Sequence, residues 1–229
     1  MSHPLVPACT SILLFAGTTL AQNPLSVSKP ETDNSVAAQL ASFQVAEGYE
    51  VNLFADESMG IANPVCFRWD AEGRLWVLCT WAYPQPKPGE KADDKLFILE
   101  DKDQDGKADK ITTFADGLNM PTGFALGHGG VYLAEGPDLL HLSDTDGDGK
   151  ADQREVLFTG FGTGDTHQNI NSLTWSPGGE LFFCQGLHCF SRVQTPWGIA
   201  RLDEHGSWRL RPLRRQLHTY RRTSGGGNP

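Results

Sequence analysis

Three segments that align without gaps, short apolar runs broken by glycine-rich turns, and the lack of helical periodicity between them predict an all-β fold. The architecture they describe is a β-propeller of four-stranded antiparallel blades. The aligned segments are residues 63–73, 120–130 and 169–179. Each carries an apolar strand (Phe67 and Trp69; Phe124 and Leu126; Leu173 and Trp175), a turn ending in glycine, and a second apolar strand at 75–78, 131–134 or 181–184. Two further strands are expected after each hairpin: 96–99 and 111–114, then 139–142 and 156–159, then 199–202 and 208–213. A β-sandwich is the alternative architecture for many short strands. With a leading strand at 49–54, this makes three blades, whereas closed propellers have about four to eight. Asn228-Pro229 also repeats the Asn63-Pro64 opening, so a larger ring is expected, of which the chain holds about three blades.

From the N-terminus, residues 1–21 combine an apolar run, Ser11 to Leu20, with the small residues Thr19 and Ala21 at a cleavage position. The pattern predicts a secretory signal and export, to the periplasm or cell envelope. The run is too short to cross a bilayer as a helix. Residues 22–42 read as a linker or marginal helix, and residues 43–229 as the propeller domain. The formal net charge of -9 argues against a nucleic-acid phosphate partner. The basic stretch 209–222 reads as a solvated strand and tail. Once Cys9 leaves with the signal, Cys66, Cys79, Cys184 and Cys189 remain. Cys66 and Cys79 lie opposite each other if their turn is centred between Glu72 and Gly73, which suits either a cross-strand disulfide or two packed thiols.

Two acidic loops share one pattern: Asp101-Lys-Asp103-Gln-Asp105-Gly-Lys-Ala-Asp109 and Asp144-Thr-Asp146-Gly-Asp148-Gly-Lys-Ala-Asp152. Hard Ca²⁺ takes several oxygen ligands, which carboxylates at positions 1, 3, 5 and 9 can offer around a glycine at position 6. Position 12 is Glu155 in the second loop and Thr112 in the first, so the second is expected to bind more tightly. The bland alternative is a pair of solvated acidic turns. In a propeller these loops brace the edges of blades, on the face away from the loops that join one blade to the next.

The joining loops should hold any chemistry. His167 sits in a glycine-rich loop with Asp165, Gln168 and Asn169. An imidazole titrates near neutrality, so His167 can take a hydroxyl proton if Asp165 or Asn169 orients it. The alternative is a structural histidine. On the same face are expected residues 116–120, the proline-rich loop 80–94, Gly136-Pro137, and residues 185–197 with His188. Trp81, Tyr83 and Trp197 offer flat surfaces to a sugar or cofactor ring. A lactonase-like hydrolase would need acids converging on an axial metal, and Glu135 is the one acid placed for that.

Asp165-Thr-His167-Gln-Asn-Ile-Asn-Ser-Leu-Thr-Trp-Ser-Pro-Gly-Gly-Glu-Leu-Phe-Phe resembles the segment of soluble quinoprotein glucose and sorbosone dehydrogenases in which a histidine precedes a strand, a proline-centred turn and a second strand. Over residues 43–217 the chain more closely resembles the membrane-bound dehydrogenases of planctomycetes and verrucomicrobia. That resemblance rests on Gly117-Leu-Asn-Met-Pro-Thr-Gly123, the repeated Asp-Gly-Lys-Ala-Asp loops and Gly164-Asp-Thr-His-Gln-Asn169. It implies a six-bladed propeller in which His167 is the general base while hydride passes to pyrroloquinoline quinone (PQQ). It also implies a sugar or alcohol substrate, and a haem c domain as electron acceptor in an exported protein, with any membrane association through other parts. The rival reading is a non-catalytic propeller that binds carbohydrate or protein.

Overall fold

A computed structural model describes residues 33–222, so the expected signal sequence at 1–21 lies outside the described residues. The described chain divides at Gln44. In the smaller unit, Ser35 caps a seven-residue helix, α1 (Val36–Ser42), by accepting the Ala38 N–H, and this settles the marginal helix expected within 22–42.

Three four-stranded antiparallel sheets make up the larger unit. The first is β1 (Pro64–Trp69), β2 (Leu75–Cys79), β3 (Asp94–Glu100) and β4 (Lys110–Leu118), in that order. The second is β5 (Pro121–Gly127), β6 (Gly130–Glu135), β7 (Asp138–Ser143) and β8 (Gln153–Thr159). Then follow β9 (Asn171–Trp175), β10 (Leu181–Gln185), β11 (Phe190–Thr195), β12 (Gly198–Asp203), β13 (Gly206–Arg211) and β14 (Gln216–Arg222). Here the expected order is corrected: the third sheet runs β14-β13-β10-β9, and β11 and β12 form a separate hairpin inserted between its second and third strands. The 199–202 strand expected in this sheet is thus β12 of the hairpin, and the fourth strand is β14. Buried Gln185 holds the insertion: its amide donates to the Cys189 and Leu202 carbonyls, and its Oε1 accepts from Ser191 and Trp208.

Side-chain alternation along these strands explains how the sheets stack. In β6, Val131 and Leu133 join one core with Trp76, Leu78, Leu96, Ile98 and Phe114 of the first sheet. Tyr132 and Ala134 join a second core with Leu181, Phe183, Trp208 and Leu217 of the third. Being covered on both faces, the middle sheet needs near-continuous apolar strands, and β6 is buried from Val131 to Glu135. The third sheet is buried on one face and alternates instead, as β10 shows.

The repeat continues into backbone detail, with one exception. Register shifts fall just after Pro64 and Pro121, early in β1 and β5. The first and third hairpins turn through five residues, closed by Gly73 N–H to Asp70 C=O and Gly179 N–H to Ser176 C=O. The second turn is shorter, His128-Gly129, with both residues at positive φ as a two-residue hairpin turn requires. Two further expectations are corrected. Residues 49–54 are not a strand: they form no ladder with the first sheet but pack on it, with Phe54 against its core and Ala108 N–H donating to Phe54 C=O. The early register shift sets Cys66 opposite Leu78 and Cys79 opposite Pro64, and all four described cysteines are free thiols.

Phe124 is fully buried between the first two sheets, whereas Phe67 on β1 is 61% exposed. Phe124→Ala should therefore lower unfolding free energy in urea by about 3–5 kcal/mol. Phe67→Ala should stay within about 0.5 kcal/mol of the parent. Equal effects would contradict this core assignment.

Candidate active site

The loop from Gly160 to Gly164 owes its glycines to a close approach by the inserted hairpin. A Cβ on Gly162 would come within 2.4 Å of the Phe190 nitrogen, and one on Gly164 within 2.3 Å of the His188 carbonyl oxygen. Gly162 N–H donates to Ser191 Oγ, and Arg192 N–H to Gly160 C=O, so the loop lies along β11. It then enters a single 3₁₀ turn over Thr166–Gln168. Asp165 caps that turn, its Oδ1 accepting the His167 N–H at 2.9 Å. The same oxygen lies 3.0 Å from His167 Nδ1.

This double contact orients the imidazole. The His167 backbone N–H, then its ring nitrogen, hold the Asp165 carboxyl below the usual aspartate range. An ionised carboxylate can only accept, so Nδ1 carries the proton and Nε2 is the acceptor nitrogen. Tyr83, from the 80–94 loop, packs edge-on against the ring with centroids 5.3 Å apart. The His167 side chain keeps 59% exposure. A local pair is thus presented to solvent beside an aromatic wall from the first sheet.

The other residues expected here divide in two. Asn169 does not orient His167: it is 3% exposed, its Oδ1 has no hydrogen-bond partner, and it packs beside Gly136 and Thr163. Gln168 is structural, its carbonyl accepting from Gly186 N–H and Cys189 Sγ. Exposed His188 lies close enough to Asp165 to help lower its pKa. Burial raises the Cys189 and Cys79 thiols, so neither is an activated nucleophile. Trp197 is at the tip of the β11–β12 hairpin, the length of β11 away from Cys189, about 20 Å at 3.3 Å per residue. It therefore does not share the His167 face.

Two buried carboxylates missed as organisers tie the first two sheets together at this face. Asp94 accepts from Thr80 Oγ1 and from the Trp81, Ala82 and Met120 N–H groups. Glu135 accepts from Asn119 N–H at 2.8 Å and from Arg154 at 2.6 Å. Glu135 is in neither of the acidic groups among the described residues that could hold a metal, so the converging acids that a hydrolase would need are not gathered around it. The sequence signal was an acid at the head of β3 or the end of β6 in otherwise apolar strands.

The acidic loops gather three carboxylates each. Oxygens of Asp101, Asp103 and Asp109 lie within 4.8 Å of one another, as do those of Asp144, Asp146 and Asp148. Position 1 organises both loops, Asp101 accepting from Gly106 N–H and Asp144 from Gly149 N–H. Asp152 instead caps Thr145, and Asp105 accepts the Lys107 N–H. Glu155 is paired with Arg215 and stays outside the cluster, which removes the basis for tighter binding at the second loop.

Burial raises the Glu135 carboxyl above the ordinary glutamate value of 4.5, against the opposing pull of Arg154. A carboxyl raised on folding binds its proton more tightly in the native state. Its contribution is therefore present at low pH and lost as pH climbs from 4.5 through the raised value. In urea unfolding from pH 4 to 7, Glu135→Gln should remove a downward component from the stability profile. Parallel profiles would show that Glu135 carries no such linkage.

A family model described as "Domain of unknown function (DUF7133)" matches residues 35–227, most of the chain. No curated protein matches it.

Proposed function

We propose that this chain, which belongs to the DUF7133 family, is built as blades of a β-propeller whose His167 face carries the proton-accepting part of a sugar or alcohol dehydrogenase site. A register that repeats from sheet to sheet supports the radial arrangement. Ala151 N–H donates to Phe114 C=O at 2.7 Å, and Ala108 N–H to Phe54 C=O at 2.9 Å. The two alanines hold the same place in their acidic loops. Likewise Asn52 donates to Gly106 C=O, and Thr112 lies against Gly149. Residues 54–56 and 114–116 both read Phe-Ala-Asp. Residues 50–56 thus sit on the first sheet as β4 sits on the second. Arg68 of β1 also reaches the Leu173 carbonyl of β9, as inner strands grouped about one axis would allow.

The oriented Asp165–His167 pair carries the chemical reading. A substrate hydroxyl donates to Nε2, its proton passes to that nitrogen, and Asp165 stabilises the imidazolium. Tyr83 provides a ring surface beside the hydroxyl. PQQ is the two-electron acceptor that the resemblance implies, but the groups in contact with the imidazole, Asp165 and Tyr83, include no cation suited to a planar tricarboxylate. Export and a haem c electron acceptor belong to the same reading.

Ca²⁺ fits the acidic loops better. Three carboxylates within 4.8 Å repel one another, and a hard divalent cation relieves that repulsion. Asp101, Asp103 and Asp109 would hold one ion, and Asp144, Asp146 and Asp148 another. The cation would fix loops that dock one sheet on the next. Saturating Ca²⁺ at about 100 times Kd should add about 2.7 kcal/mol per site. Thermal melting should show the gain, and Asp144→Ala with Asp148→Ala should remove the second loop's share. No shift in the parent would refute the assignment.

Trp81 and Tyr83, both exposed and the latter packed against His167, favour a second reading in which the face binds saccharide without turnover. Dye reduction, screened across sugars and alcohols with and without PQQ and Ca²⁺, separates the two. On the first reading His167→Ala lowers the rate by about 10²–10⁴-fold, and Asp165→Asn lowers it too. Turnover unchanged in His167→Ala excludes His167 as the base. Saccharide binding with no turnover supports the second reading.

A further inference from the structure

The 80–94 loop shapes a cavity of about 590 Å³, within the range of about 300–1,000 Å³ typical of small-molecule sites, and His167 touches it only through the Tyr83 ring. Its aromatic walls are fixed in place yet open to solvent. Trp81 packs edge-on against Phe97 and is 48% exposed, and Tyr83 packs against His167 and is 39% exposed. Half-exposed rings held from behind suit the apolar face of a pyranose.

The charges of the cavity are uneven in a chain of net charge -9. Lys87, Lys91 and Lys95 line it, with Glu90 and Asp93. Both acids already face a lysine: Asp93 pairs with Lys95 at 2.7 Å, and Glu90 more loosely with Lys87 at 3.7 Å. Asp94 is fully buried and saturated by N–H and hydroxyl donors. Lys91 makes no ion pair within 4 Å among the described residues. Lys91 helps to lower the Asp93 carboxyl from a distance, but its ammonium is held in no close ion pair and lines the same cavity as Trp81 and Tyr83.

We propose that this cavity binds a saccharide bearing a carboxylate, an acidic sugar of the uronic type, with its ring on Trp81 and Tyr83 and its carboxylate on Lys91. The proposal deepens the saccharide reading of the His167 face and rests on it, but does not require turnover. The carboxylate on Lys91 would choose which sugar the cavity holds.

Calorimetric titration of the full chain with galacturonate and with galactose in low salt tests this directly. Galacturonate should bind roughly three- to tenfold more tightly, as a half-exposed charge-assisted contact allows. The advantage should shrink in 0.5 M NaCl through screening. Lys91→Ala should abolish it while leaving galactose unchanged, and Trp81→Ala should weaken both ligands. Equal affinities, or an advantage that survives Lys91→Ala, would overturn the acidic-sugar proposal and leave the saccharide reading standing. Failure of both sugars to bind would overturn the two together.

Discussion

Because Leu133 and Ala134 are adjacent on one strand and yet belong to different cores, the middle sheet must have a neighbour on each face. Full burial of a leucine stabilises by about 1.5–3 kcal/mol, so a strand apolar on both sides cannot be left half covered. That constraint fixes how the first and third sheets lie on the second, and with it the position of the loops. The 80–94 loop belongs to the first sheet and the His167 loop leads into the third, yet Tyr83 and His167 touch. Tyr83 and His167 meet only because the middle sheet brings its neighbours close at one end.

A polar counterpart operates at that end. Asp94 and Glu135 are buried acids, each tying down N–H groups of the segment that crosses from the first sheet to the second. Buried backbone donors need partners, and a carboxylate can satisfy several at once. Together they set the crossing at a fixed height above the cores. The inserted hairpin does comparable work for the third sheet through Gln185, whose amide and carbonyl meet the insertion on one side and Trp208 on the other.

Patterns that recur locally were legible in the sequence, and long-range pairings were not. The aligned hairpins and the positions of β2, β6 and β10 follow from alternation and turn residues, and the sheets bear them out. The alignment did not reveal that His128-Gly129 closes a turn shorter than its two counterparts, because Gly73, Gly130 and Gly179 match in sequence while playing different parts. The insertion was missed for a similar reason: Ile199 to Leu202 has the look of a third strand, and nothing local says that it pairs with β11 rather than β10. Within the site, Asp165 was legible because it lies two residues from His167 and caps its own turn. Asn169 failed because it is buried against Gly136, which is distant in sequence.

This division bears on which parts of the site are sturdy. The Asp165 contact is formed within one short turn, so the orientation of the imidazole is encoded locally and persists wherever the turn does. The Tyr83 contact is not local: it requires the first sheet to be seated on the second and the 80–94 loop to be anchored through Asp94. The geometry that orients the His167 imidazole is therefore separable from the geometry that decides what packs against it. In a scaffold of repeated sheets, the locally encoded turn can stay constant while the loop opposite it varies. If the proposed function holds, ligand preference would reside in the 80–94 loop, and proton transfer in the Asp165–His167 turn.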